Sequence, residues 1–200
     1  MNKSVKPNKS QELNFSLIVI VLVLFCSFLM VIATFTQLKL YTIENMSLKI
    51  TNYIPQIPTV LFIAGLLGKR YGILSVSIYI LIGLFLSPVF ALGGGLDYIL
   101  NINFGYLLGF IGAIYVSAKL LENKSSILWL LLSDLSAILT IHIIGIAYLT
   151  TIILFNKESF QTIVHWIYNQ SFDTLIIDIC LGFAALCLGK FIKTTLKKIA

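Results

Sequence analysis

Charge is what this chain has least of. Of its 200 residues, 11% are Asp, Glu, Lys or Arg and 58% are hydrophobic, whereas soluble domains carry roughly 25% charged residues. That balance excludes an ordinary water-soluble domain and places the chain in a bilayer. Histidine occurs twice and cysteine three times, and the sequence has no CxxC, HExxH, GxSxG or P-loop pattern. These absences leave no metal or cofactor site to assign and argue against an enzyme. Cys180 and Cys187 stand seven apart in one apolar run, about 10 Å along a helix. That is too far for a disulfide, so they and Cys26 read as small packing residues. His142 follows Asp134 by eight residues, about 12 Å on a helix, so the two do not share a metal or form a catalytic pair.

What is present is a series of apolar runs. A polar, basic tail (1–12) precedes a first run, Leu13–Thr36. It exceeds the roughly 7–15 residues of a signal-peptide core and fits a retained span of about 20. Further spans are expected at 55–68, 73–86, 104–121, 127–155 and 172–191, followed by a basic tail at 194–200. The second opens at prolines, which suit a first helical turn, and ends in the basic turn Gly68-Lys69-Arg70-Tyr71-Gly72. The fifth window is longer than a bilayer requires and must tilt, bend or protrude, with Gly145 its weak point. The segments Gln37–Pro55 and Asn156–Gln170 read as polar connections.

The basic residues test this plan. With a cytoplasmic N-terminus, 11 of the 14 Lys and Arg fall inside, and only Lys39, Lys49 and Lys157 fall outside. This is the asymmetry of short cytoplasmic loops. The expectation is an all-α integral membrane protein with six transmembrane helices and both termini cytoplasmic. The net charge of +6 then reflects topology, with membrane lipid and no nucleic acid as the partner. The longer, more polar connections lie outside, which puts a candidate site at the outer end.

Acids in hydrocarbon are expensive and often functional. Glu12, Glu44, Glu122 and Glu158 lie in tails or connections. Asp134 reads as structural, near the cytoplasmic interface or capping a helix. Asp173 suits a helix N-terminus. Asp178 lies about six residues into the last span, roughly 9 Å deep, and needs a partner, a ligand or water. Between spans three and four runs Ser87–Phe110, with Gly93, Gly94 and Gly95 followed by Asp97, Asn101, Asn103 and Tyr106. A flexible glycine turn beside one acid, two amides and a phenol reads as a lid or wall for a small polar solute. The plainer reading is a solvent loop and a helix start. His165 and Trp166 fit an interfacial position.

The run Tyr53–Gly72, the run Tyr79–Phe90 with Gly93–Gly95, and Gly105-Tyr-Leu-Leu-Gly-Phe110 resemble the BioY family of biotin transporters. The resemblance covers roughly Tyr53–Phe110 closely and the other helices by topology. It implies a six-helix substrate-binding S component of an energy-coupling factor transporter, located in the cell membrane. It binds biotin near its outer face, and a transmembrane T component and two ATPase subunits complete it, although a solitary form is also implied. Family contact positions carry over to Gln56, to Asn103 and Tyr106 in Asn-Ile-Asn-Phe-Gly-Tyr, and to Asp178; Asp97 joins them as a candidate. The family's lysine three residues after the aspartate is Leu181 here. The carboxylate end of biotin then needs another donor, such as Lys39, Lys49, Lys157, His165 or backbone N–H groups. Otherwise the solute is a different vitamin-like molecule. A non-transport assembly factor on the same fold is the reading from another class. The small-residue spacing expected on the first helix for T-component contact reduces here to Ser27 and Val31.

Overall fold

The computed structural model describes residues 9–44, 47–122, 124 and 126–199. Residues 1–8 of the expected tail, with Lys3 and Lys6, lie outside them, as does the side chain of Lys49. The apolar runs form α1 (Lys9–Phe35), α2 (Gln56–Phe85), α3 (Phe104–Leu120), α4 (Ile127–Phe155) and α6 (Leu175–Ile199). Both expected polar connections contain structure. Gln37–Pro55 holds an antiparallel hairpin, β1 (Leu38–Glu44) on β2 (Ser47–Tyr53), with Leu38 opposite Tyr53 and Glu44 opposite Ser47. Asn156–Gln170 holds α5 (Phe160–Ile167), capped by the Ser159 hydroxyl accepting from the Thr162 N–H at 3.3 Å, and a π-helical turn, Tyr168–Phe172, follows. A short 3-10 turn, Leu96–Leu100, precedes α3.

Helix α2 is two antiparallel rods. Gly68 has φ 75° and ψ −165°, a region essentially reserved for glycine, and the chain reverses there. In a straight helix Gln56 and Tyr79 would be about 35 Å apart, yet the Gln56 Nε2 lies 3.2 Å from the Tyr79 hydroxyl. The five-residue basic turn expected at 68–72 is thus a single-residue reversal. Gly72 is already helical, and the Ile114 side chain of α3 lies where its Cβ would be.

The helices associate as apolar segments do in lipid, through small residues and buried hydroxyls. Helix α3 packs along α4, and both rods of α2 pack against neighbours on α1, α3 and α6. Ser117 and Ser133 pair at 2.7 Å between α3 and α4. Ser27 of α1 donates to the Ser75 carbonyl of α2 at 2.8 Å. Ser27, expected at a partner-facing position, is therefore turned into the fold. Backbones touch where α2 meets α6: a Cβ at Gly65 would lie 2.7 Å from the Leu186 carbonyl, and one at Gly189 2.3 Å from that of Phe62. Gly145 does not bend α4; it seats the Tyr106 ring, 2.5 Å from where its Cβ would be. The core runs through Val60, Leu61, Val76, Ile114, Ile141 and Leu186, while Val21, Phe25 and Phe28 of α1 face outward.

Four stretches, Leu17–Phe35, Gln56–Phe85, Ile127–Phe155 and Phe160–Leu196, are long and apolar enough to cross a membrane, and Phe104–Leu120 is a shorter apolar helix. The protein is a multi-pass helical membrane protein, with the β1–β2 hairpin joining α1 to α2.

Candidate functional site

At the end of the bundle that carries the hairpin, a cavity of about 410 Å³ opens between β2, the start of α2, the start of α3, the segment after α5 and the start of α6. Its size falls in the range of about 300–1,000 Å³ typical of small-molecule sites.

Asp178 anchors it. The side chain is only 2% exposed. Tyr53 donates to its Oδ1 at 2.7 Å and Thr174 to its Oδ2 at 2.9 Å. Thr174 reaches it because residues four apart share a helix face. Tyr53 reaches it because β2 ends directly above α6. Burial, with the Asp178 carboxylate alongside, pushes the Tyr53 phenol above its ordinary value, so Tyr53 acts as donor. An ionised carboxylate offers about four acceptor positions, and two are taken by these hydroxyls. Among the described residues the Asp178 carboxylate therefore has acceptor capacity left where it lines the cavity.

Asn103 is the second acceptor. Its N–H donates to the Asn101 side chain at 2.9 Å, which fixes the turn entering α3. Its own Oδ1 is buried at the cavity wall and has no hydrogen-bond partner among the described residues. A buried acceptor left unpaired costs about 1–3 kcal/mol, a penalty that a solute N–H would remove.

The remaining wall is aromatic and amide. The Tyr106 hydroxyl pairs with Ser171 at 2.8 Å, joining α3 to the π-helical turn. Tyr98 is held against Phe90, ring centroids 4.6 Å apart, and Phe90 against Tyr79 at 5.6 Å. Tyr148 of α4 donates to the Ile99 carbonyl and pins the 3-10 turn. Trp166, Asn52, Asn169 and Gln170 complete the rim.

Of the residues singled out from sequence, the fold brings together Gln56, Asn103, Tyr106 and Asp178 at this cavity, and leaves out Asp97. Asp97 is exposed on the 3-10 turn, and its neighbour Tyr98 faces inward instead. Gln56 lines the wall, but its amide nitrogen is directed to Thr34 at 2.7 Å and to Tyr79. Leu181 points away, 41% exposed, and lines no part of the cavity. The donors considered in its place, Lys39, Lys157 and His165, are exposed and away from the wall. Asp173, read as a helix-dipole residue, lines it. The lining thus carries two carboxyls and no cation among the described residues. Sequence reasoning missed Tyr53, Tyr98, Asn169, Gln170 and Thr174. Only Thr174 carried a usable signal, a hydroxyl one helical turn before a buried acid.

Asp134 lies apart from the wall. It is fully buried and lies inside α4 rather than at its cap. Gly182 of α6 makes room for its carboxyl, and neither oxygen has a hydrogen-bond partner among the described residues.

Fold and cavity together define a membrane-embedded helical bundle with a small-solute-sized pocket beneath the β1–β2 hairpin. The chain belongs to the BioY family, whose pattern it matches over residues 4–198. A biotin transporter BioY from Thermotoga maritima is 39% identical over 84 residues, 42% of this chain and 50% of that protein. A probable biotin transporter BioY from Lysinibacillus sphaericus is 32% identical over 135 residues, 64% of this chain and 67% of that one. The chain thus spans between half and two thirds of the length of these relatives. The crystal structure of an S-component for biotin from an ECF-type ABC transporter shares the fold, with a TM-score of 0.69 at 17% identity over 94% of this chain and 95% of that one.

Proposed function

We propose that the protein captures biotin at the outer face of the cell membrane, as the substrate-binding component of a vitamin transporter. The observation that carries this reading is the pair of acceptors at the cavity wall. The Asp178 carboxylate and the unpaired Asn103 Oδ1 suit a solute with two cis N–H groups, such as the ureido ring of biotin. Charge-assisted bonds to a carboxylate are about twice as strong as neutral ones. Tyr98, Tyr106 and Trp166 supply apolar faces for the bicyclic ring. Transport follows from capture, closure by the hairpin and the α5 segment, and release on the other side. A transmembrane T component and two ATPases drive this rearrangement in the coupled form. The topology that goes with it has six crossings, counting the rods of α2 separately, and both termini in the cytoplasm.

A second reading rests on a lining that carries no cation among the described residues. The solute's acid end would then lie against the amides of Asn52, Asn169 and Gln170. A related solute without a carboxylate would fit the same wall. Equilibrium binding of labelled biotin to the detergent-solubilised protein, with free biotin and biotinamide as competitors, tests both. Biotin-selective binding that is lost in Asp178→Ala supports the first reading. Preference for biotinamide moves the assignment to an uncharged solute. No binding of either by folded protein refutes both.

A further inference from the structure

Behind the solute cavity, polar side chains of α1 and of both rods of α2 meet. Thr34 of α1 and Tyr79 of the second rod are buried, and neither lines the cavity. Their hydroxyls lie 2.9 Å apart. The Gln56 Nε2 reaches both, Thr34 at 2.7 Å and Tyr79 at 3.2 Å.

The protons of this cluster decide which way the Gln56 amide faces. The Thr34 hydroxyl donates to the Met30 carbonyl at 2.8 Å, four residues back on its own helix. A hydroxyl has a single proton, so Thr34 offers its neighbours only lone pairs. Tyr79 donates to Thr34, or to the Val89 carbonyl at 3.5 Å. Either way both hydroxyl oxygens face Gln56 as acceptors, which suits the amide NH₂ and not the amide oxygen. In the reverse orientation one hydroxyl would have to give up its present acceptor to donate to Oε1. The NH₂ is therefore held in the interior of the fold. Oε1, with no hydrogen-bond partner among the described residues, is the end left for the cavity that Gln56 lines.

We propose that Thr34 and Tyr79 are positioning residues for the solute site. They hold the Gln56 carbonyl oxygen toward the solute, so that this part of the wall accepts an N–H and repels a solute carbonyl. With the biotin-type solute proposed above, on which this rests, Asp178 of α6, Asn103 before α3 and Gln56 of α2 all present acceptors. A wall built to receive N–H groups rejects an analogue that lacks them. Helix α1 supplies none of the described lining, and it acts on the site through Thr34.

Two measurements on the full chain in detergent test the proposal. The first needs no solute. Side-chain ¹⁵N-amide spectra, with Gln56 assigned by its loss in Gln56→Leu, should show its NH₂ protected from solvent exchange. Protection should be lost in Thr34→Val and kept in Thr34→Ser. The second is equilibrium binding of labelled biotin. Thr34→Val should weaken it about tenfold, the worth of one neutral hydrogen bond, and Thr34→Ser should restore it. In a Gln56→Leu background Thr34→Val should leave Kd unchanged, because a residue acting through Gln56 then has nothing to act on. Melting temperatures report that the variants fold. A Thr34→Val effect of equal size in both backgrounds overturns the proposal and makes the cluster a structural tie between α1 and α2. Amide exchange indifferent to Thr34→Val overturns it as well. A protected Gln56 amide in folded parent protein that binds no biotin supports the orientation and refutes biotin as the solute.

Discussion

Asp178→Asn isolates the chemistry of the solute cavity. The substitution keeps the side-chain volume and removes the charge. The amide oxygen still accepts from Tyr53, now 2.7 Å from Oδ1. The NH₂, in the place of Oδ2, faces the Thr174 hydroxyl at 2.9 Å, which turns to accept. The packing therefore survives, and the ligand senses the change. A hydrogen bond to a charged acceptor contributes about 1.5–3 kcal/mol, and one between neutral groups about 0.5–1.5 kcal/mol. One solute N–H then meets a donor and loses its bond, while any second bond becomes neutral. The sum is about 2.5–4.5 kcal/mol, or roughly 10²–10³-fold in Kd at 1.4 kcal/mol per tenfold. Equilibrium binding of labelled biotin, with a melting curve on the same sample, reads both quantities. A Kd within threefold of the parent, at an unchanged melting temperature, would refute the assignment of Asp178 as the solute's acceptor.

Three further substitutions probe the frame around the cavity. Tyr53→Phe deletes one oxygen beneath the hairpin and removes a donor to a buried carboxylate, which should lower stability by about 1.5–3 kcal/mol; an unchanged melting temperature would show that the bond does not hold the hairpin down. Gly145→Ala places a methyl within 2.5 Å of the Tyr106 ring, so it should destabilise by about 1–3 kcal/mol and weaken solute binding, and intact affinity would remove Tyr106 from the site. Gly68→Ala forces a side chain into backbone geometry that costs about 1–3 kcal/mol outside glycine, read as a fall in melting temperature; no fall would mean the reversal is looser than its dihedrals indicate.

The apolar runs made the helices legible, because lipid requires every backbone group to be satisfied within its own segment. What lay between them was less legible. The hairpin had a signal in the alternation of Leu38-Lys39-Leu40 and Leu48-Lys49-Ile50, but polarity and length made the segment read as plain connection. Asp97 and Tyr98 are adjacent, and which of them turns inward is decided by the aromatic contact with Phe90, a tertiary effect with no trace in local sequence. Asp178 was legible because a carboxyl among isoleucines is costly wherever it sits. Tyr53 was not, since the bond joining it to Asp178 spans 125 residues. Gly145 illustrates a general ambiguity. The same residue that loosens a helix also admits a neighbouring ring, and only the position of Tyr106 separates the two.

The contact between Gly65 and Gly189 has a mechanical meaning. With no side chains interposed, the backbones of α2 and α6 rest on each other there, and α6 extends unequally on either side. Asp178 lies eleven residues from Gly189, about 16 Å, while Lys193 lies four residues away, about 6 Å. A helix pivoting on that point is a lever with a short basic arm and a long acidic one. A displacement of Lys193 would be returned at Asp178 between two and three times as large and in the opposite sense. A small movement at the basic end would then be enough to draw the Asp178 carboxylate away from Tyr53.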